Sequence, residues 1–214
     1  MEKNLGKLLD HAPEQGVEEP CCSVPDIGTI WVRRATREEL PELYALIKRE
    51  VGDVASFEVL ERVFNKNADS VWAVYRSSDD TRADAELIGS YAFLHLNQAG
   101  LERLESGTFD GRDPDLGLIV GSGTQPAALY VWVMLLTVRG ISRIVTWLFV
   151  NAAGAETLSA PMFTTAATTD GVNAAQGYGF LAQGQGGVSA GQLYRVERPE
   201  RAVGVSNSVR AVLP

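Results

Sequence analysis

The chain has 214 residues, an apolar share of 45%, a formal net charge of −8 and a pI near 4.8, the profile of one globular domain with or without tails. The acidic balance argues against general nucleic-acid binding, which needs a basic stripe. The only cysteines, Cys21 and Cys22, exclude a disulfide framework and a four-cysteine zinc site, and two histidines, His11 and His95, argue against a histidine-based metal cluster.

Residues 1–28 read as an extension. Its start, MEKNLGKLLDHAPEQGVEEP, holds no apolar core long enough for a signal peptide, and Lys3 to Leu9 offer a turn or two of helix. The stretch HAPEQGVEEPCCSVPDIG is too rich in Pro, Gly and Glu to pack, so the segment reads as a flexible arm or as one that covers a partner subunit. The domain proper spans 29–198, and 199–214 form a polar tail. Thr29 onward, TIWVRRAT, alternates as a half-buried strand. Thr36-Arg37-Glu38-Glu39 is a capping box, and Leu40, Leu43, Tyr44, Ile47 and Val51 follow at helical spacing up to Gly52. Ser56 to Asn65 predicts a second helix with Val59, Leu60 and Val63 on its apolar face.

Ser70 to Arg76 and Leu87 to Leu96 predict strands joined by a charged tip. Gly100 to Gly107 suggests a short helix, Thr108 to Asp115 a loop, and Leu116 to Val120 the start of a strand. The stretch from Ala127 to Ala155 is the most telling. An apolar run meets the turn Thr-Val-Arg-Gly-Ile-Ser-Arg and then a second apolar run, which reads as a buried strand, a glycine turn and a helix with an open N-terminus. Such a start exposes backbone N–H groups and the positive end of the helix dipole, a natural anion site. A membrane span is disfavoured: Ala127 to Val138 is well short of the roughly 20 residues required, and Arg139 and Arg143 would fall inside a longer one. Met162 to Ala167 predicts a strand, Thr168 to Gly177 a short helix, Gln183 to Gly191 a Gly-rich connector and Gln192 to Arg198 a last strand. The fold class is therefore α+β, a mixed, mostly antiparallel central sheet flanked by helices.

This order, with Gly179-Phe180 after the last helix, resembles the GNAT superfamily of acyl-CoA-dependent N-acyltransferases over about Thr29 to Arg198. The family's turn runs Gln or Arg, two residues, Gly, one residue, then Gly or Ala. Thr137, Gly140 and Ser142 stand at those positions here, so Gly140 matches and Ser142 remains small. The resemblance implies acetyl-CoA as cofactor, with its pantetheine arm between splayed fourth and fifth strands and taking backbone groups of Trp132 and Met134. It implies that Val138, Arg139, Gly140, Ile141, Ser142 and Arg143 cradle the pyrophosphate, the two arginines adding charge-assisted bonds. The family places a tyrosine general acid about one helical turn before the Gly-Phe; Ala175 stands there, and Tyr178 is expected to point elsewhere.

An amine acceptor must lose a proton, and Glu86, His95 and Asp115 are the candidate catalytic groups. His95 has the suitable intrinsic pKa, yet shares a strand face with Tyr91 and Phe93 and also reads as a packed structural histidine; Asp115, like Asp113, also reads as a turn residue. Tyr91 and Tyr130 could orient a substrate or simply pack. The implied function is transfer of an acyl group to an amine of a small molecule or peptide, with no nucleic acid, no membrane and no metal. The alternatives are a GNAT-fold binding or regulatory module that has lost catalysis, and an unrelated α+β domain that self-associates. Trp147, Leu148 and Phe149 span more than one face of their helix, which leaves room for a homodimer. The low cysteine count fits the cytoplasm.

Overall fold

A computed structural model describes residues 20–79, 82–154, 159–166, 169–183 and 191–196. The expected helical turn at Lys3 to Leu9, most of the Gly-rich connector and the tail lie outside these residues. Eight strands, β1 (Cys21–Val24), β2 (Gly28–Arg34), β3 (Val71–Ser77), β4 (Glu86–Leu96), β5 (Ala128–Leu136), β6 (Met162–Thr165), β7 (Leu181–Ala182) and β8 (Leu193–Val196), form one sheet in the order β1-β2-β3-β4-β5-β6-β8-β7. Every pair is antiparallel except β5–β6, which is parallel. The helices are α1 (Leu40–Val51), α2 (Phe57–Lys66), α3 (Gln98–Glu105), α4 (Ser142–Ala153) and α5 (Thr169–Gly177). The expected mostly antiparallel α+β sheet is the one observed.

Local chemistry sets the helices of the first half. The Glu39 carboxylate accepts from the Thr36 N–H at 2.7 Å, closing the capping box, and Gly52, at φ +86°, ends α1 with its N–H on the Lys48 carbonyl. Ser56 accepts from the Val59 N–H and starts α2. Asn97 accepts from the Gly100 N–H at 2.9 Å, so α3 begins earlier than Gly100, where the sequence places it.

Two segments differ from expectation. Cys21–Val24, assigned to the unpacked extension, pairs with β2 from Cys21–Trp31 to Val24–Gly28. Only alternate residues of this strand are partly covered, so its apolar face is small, and its polar surroundings hide it from a composition reading. Leu116–Leu118 form a 3-10 turn rather than a strand, because the Asp115 carboxylate takes the Gly117 N–H at 2.8 Å; only Ile119 bridges to Leu96.

The sheet is covered on both faces. On one, α4 and α5 bury Ile30, Val32, Trp72, Val74, Tyr91, Phe93, Leu129 and Val131. On the other, α1, α2 and α3 bury Trp31, Val71, Ala73, Leu94 and Leu96. This is why β2, expected to be half-buried, has Ile30, Trp31 and Val32 all inside. Phe149 fastens α4 to the sheet: its ring stacks on Phe93 at 4.7 Å and meets the edges of Trp72 at 5.2 Å and Tyr91 at 5.8 Å. Leu148 and Phe149 are buried, whereas Trp147 is 59% exposed. Among the described residues no helix is long and apolar enough to cross a membrane.

Candidate functional site

The two sides of β5 are treated differently. Its β4 side is paired from Ala128 to Leu136. Its β6 side is paired only through Leu129–Met162, Tyr130–Phe163 and Val131–Thr164. Beyond Val131–Thr164 the pairing stops, β6 ends at Thr165, and Trp132 to Leu136, roughly 17 Å of strand, have no partner on that side among the described residues. A β-bulge lies at the fork. The register with β4 steps from Phe93–Val131 to Ala92–Val133, leaving Trp132 as the extra residue. The Trp132 indole N–H donates to the Gly111 carbonyl at 2.6 Å. Met134, opposite Tyr91 and so on the α4 side of the sheet, is 37% exposed.

The chain leaves the wide end of the fork through Thr137 and Val138 into Arg139-Gly140-Ile141. Gly140 sits at φ +83°, a left-handed conformation that favours glycine, and a Cβ added there would meet nothing within 4 Å. The turn needs this glycine for its backbone, and the space beside it is open. Ile141 takes the N-cap position of α4 with its apolar side chain 1% exposed, so it offers no capping bond. The first intrahelical bond runs from the Val145 N–H to the Ile141 carbonyl at 2.9 Å, which leaves the N–H groups of Ser142, Arg143 and Ile144 without a partner among the described residues. The first turn of α4 contains no acid. Arg139 and Arg143 are exposed and make no ion pair among the described residues. Three open donors, two cations and no carboxylate make a donor set suited to an anion of the pyrophosphate type.

The three candidate catalytic groups are not brought together. Glu86 opens β4, pairs with Arg76 and is 60% exposed at its side chain. His95 lies nine residues further along the same strand, about 30 Å away in extended chain. Asp115 caps the 3-10 turn. His95 is 4% exposed, opposite Leu129, in a small cavity with Arg34, Asp69, Trp72, Phe93, Phe149 and Ala153. Burial pushes its pKa below the usual imidazole value; the Asp69 charge and carbonyl oppose this and the Arg34 charge adds to it. Arg34 in turn pairs with Asp69 at 2.8 Å and lies over the Trp72 ring. His95 is thus a packed group on the α4 side of the sheet, where burial disfavours its charged form.

Ala175 is buried in the core beneath α5. The Tyr178 hydroxyl accepts from the Thr146 hydroxyl at 3.3 Å, and Tyr91 lies 3.3 Å from the same Thr146 oxygen. Burial drives the Tyr91 phenol well above its ordinary range. This three-hydroxyl chain joins β4, α4 and the end of α5, and no local sequence pattern announces it. Nor does one announce the loop at 109–113, which the fold lays against β5: Phe109 packs on Tyr130 at 5.5 Å, and Gly111 accepts from Trp132. Asp-Gly-Arg-Asp reads only as loop chemistry.

No protein-family model matches the chain, and no curated protein matches it. Solved structures do resemble it. An acetyltransferase of the GNAT family from Listeria monocytogenes has 12% identity and a TM-score of 0.47, over 84% of this chain and 100% of that one. Ard1 from Thermoplasma volcanium has 7% identity and a TM-score of 0.46, over 78% and 94%. Naa50 of Arabidopsis thaliana, solved with a CoA-containing bisubstrate analogue, has 11% identity and a TM-score of 0.44, over 78% and 95%.

Proposed function

We propose that this chain is an N-acyltransferase that moves an acetyl group from acetyl-CoA to an amine of a small molecule or peptide. The observation that carries the reading is the fork in the sheet: β5 and β6 part after Val131–Thr164, and the uncapped, cationic start of α4 follows the wide end of the open strand edge. When bound, acetyl-CoA supplies an acyl thioester, whose carbonyl an amine attacks with formation of a C–N bond and release of the thiol.

The chain's own residues have defined parts in this reading. The N–H groups from Val138 to Arg143 and the guanidinium groups of Arg139 and Arg143 bind the pyrophosphate. The open backbone of Trp132 and Met134 orients the pantetheine arm by strand-like hydrogen bonds. Trp132 and the 109–113 loop exclude bulk water from the narrow end of the fork. Glu86 and Asp115 are committed elsewhere and His95 is packed away, so the acceptor amine loses its proton through water, and the net charge of −8 steers a cationic acceptor to the protein. The reaction belongs to the cytoplasm on the low cysteine count, and a homodimer would use the exposed Trp147.

A second reading, a binding module without catalysis, rests on the resemblance: Ala175 stands where that family places its tyrosine acid, and it is buried in the core. Titration with acetyl-CoA, followed by calorimetry and melting temperature, tests the first reading. Micromolar binding with a raised Tm supports it. Gly140→Asp, which puts a negative side chain into the open space, is expected to weaken binding by at least about tenfold. Unchanged binding in that variant would mean that the cradle lies elsewhere. Turnover with a panel of amines then separates enzyme from module.

A further inference from the structure

The narrow end of the fork is walled by aromatic side chains, and this constrains the acyl group. The inference rests on the acyl-CoA reading above. With the pyrophosphate at α4 and the arm along Trp132 to Leu136, the thioester lies at the apex beside Val131. An acyl chain there has three directions in which to extend.

Straight on, β5 and β6 are joined by strand pairing from Val131–Thr164 back to Leu129–Met162. Toward α4, Val131 and Leu129 are buried in the core that holds the stacked pair Phe93–Phe149. Toward α1 and α2, the way is filled by Trp132 and Tyr130. The Trp132 ring packs against the apolar clusters on both sides of it, and its N–H is fixed on the Gly111 carbonyl at 2.6 Å. Tyr130 packs on Phe109, and Gly111 approaches so closely that a Cβ there would lie 3.3 Å from the Tyr130 hydroxyl. The third direction differs from the other two in kind. It is closed in part by a loop that lies outside the sheet, and that loop is held by exposed ion pairs, Arg112 to Asp53 and Arg62 to Asp113.

We propose that Trp132, clamped by Gly111, is a specificity-determining residue that restricts the acyl group to short chains. The bulge turns the indole into the passage that this loop bounds. Acetyl fits against the ring; a chain of hexanoyl length must displace Trp132, break its hydrogen bond to Gly111 and lift the 109–113 segment.

The test is calorimetric titration of the full chain and of Trp132→Ala and Trp132→Phe with CoA, acetyl-CoA and hexanoyl-CoA, with thermal melts to establish that each variant is folded. The parent is expected to bind acetyl-CoA about tenfold or more tightly than hexanoyl-CoA. Trp132→Ala should collapse that ratio to near unity by gaining hexanoyl-CoA affinity, and Trp132→Phe, which keeps a ring but loses the N–H, should reduce it to about threefold. Equal binding of both thioesters by the parent overturns the proposal. So does a folded variant with the parent's ratio; should Trp132→Ala fail to fold, Trp132→Phe decides. If neither CoA nor either thioester binds the parent, it is the acyl-CoA reading itself that fails, a result distinct from binding without discrimination.

Discussion

The half of the molecule built on β2 to β4 and the half that begins at β5 treat their polar groups in opposite ways. In the first, each helix start is closed: the Thr36–Glu39 box precedes α1, Ser56 caps α2 and Asn97 caps α3. Several arginines there are paired, Arg33 with Glu39, Arg37 with Glu61 and Arg62 with Asp113. In the second, α4 starts on an apolar Ile141, its two neighbouring arginines have no carboxylate partner among the described residues, and β5 leaves half of one edge unpaired. A helix start or strand edge left open costs stability, which a purely structural element has no reason to forgo. The contrast supports the proposed cofactor site in the second half.

The comparison can be broken most forcefully at the joint between the halves. Phe149→Ala removes the ring that touches Phe93, Trp72 and Tyr91, and should destabilise by about 3–5 kcal/mol in urea unfolding. Because α4 then loses its anchor, acetyl-CoA affinity should fall as well. Retained affinity in a folded variant would show that the cradle does not depend on the docking of α4.

Glu39→Gln acts within the closed half alone. Burial raises the Glu39 pKa, but hydrogen bonds from Arg33, Tyr75 and the Thr36 N–H outweigh it and hold the carboxyl below its usual 4.5. A lowered folded pKa means that the contribution is complete above the unfolded value and is lost as pH falls through the folded one. The substitution should cost about 1.5–3 kcal/mol at pH 7 and flatten the acid limb of the stability profile, leaving acetyl-CoA affinity untouched. An unchanged acid limb would remove Glu39 as its cause.

Two substitutions at helix starts sharpen the contrast further. Ser56→Ala should destabilise by about 1 kcal/mol with no effect on ligand binding. Ser142→Asp should do the reverse, stabilising by about 0.3–1 kcal/mol through the α4 dipole while weakening acetyl-CoA binding. If Ser142→Asp left binding intact, the open start of α4 would be incidental to function.

Most of the fold can be read from local pattern, because the first half writes its boundaries in capping residues. Thr36, Ser56 and Gly52 mark helix limits to within a residue or two, and the alternation of β3 and β4 shows in Ser70 to Arg76 and Leu87 to Leu96. β1 is illegible in the sequence because Cys21–Val24 gain their partner across a hairpin, with Asp26 at φ +64°, rather than from an apolar run. The candidate site divides the same way. The turn at Gly140 and the open helix start follow from sequence. The bulge at Trp132 and its clamp on Gly111 do not, since both depend on the register of β5 against β4 and on a distant loop. Glu86 and His95 bracket one strand in the sequence, and the length of β4 keeps them apart in space.

The single parallel joint in the sheet has a kinetic meaning as well. The antiparallel β3 and β4 meet across one hairpin, whereas β6 reaches β5 only after the whole crossover through α4 has closed. Non-local pairing of that kind forms late and opens early. Amide protons on the β5–β6 pairs should therefore exchange sooner than those across the β3–β4 hairpin, and the cleft beside β5 waits on the closing of that crossover.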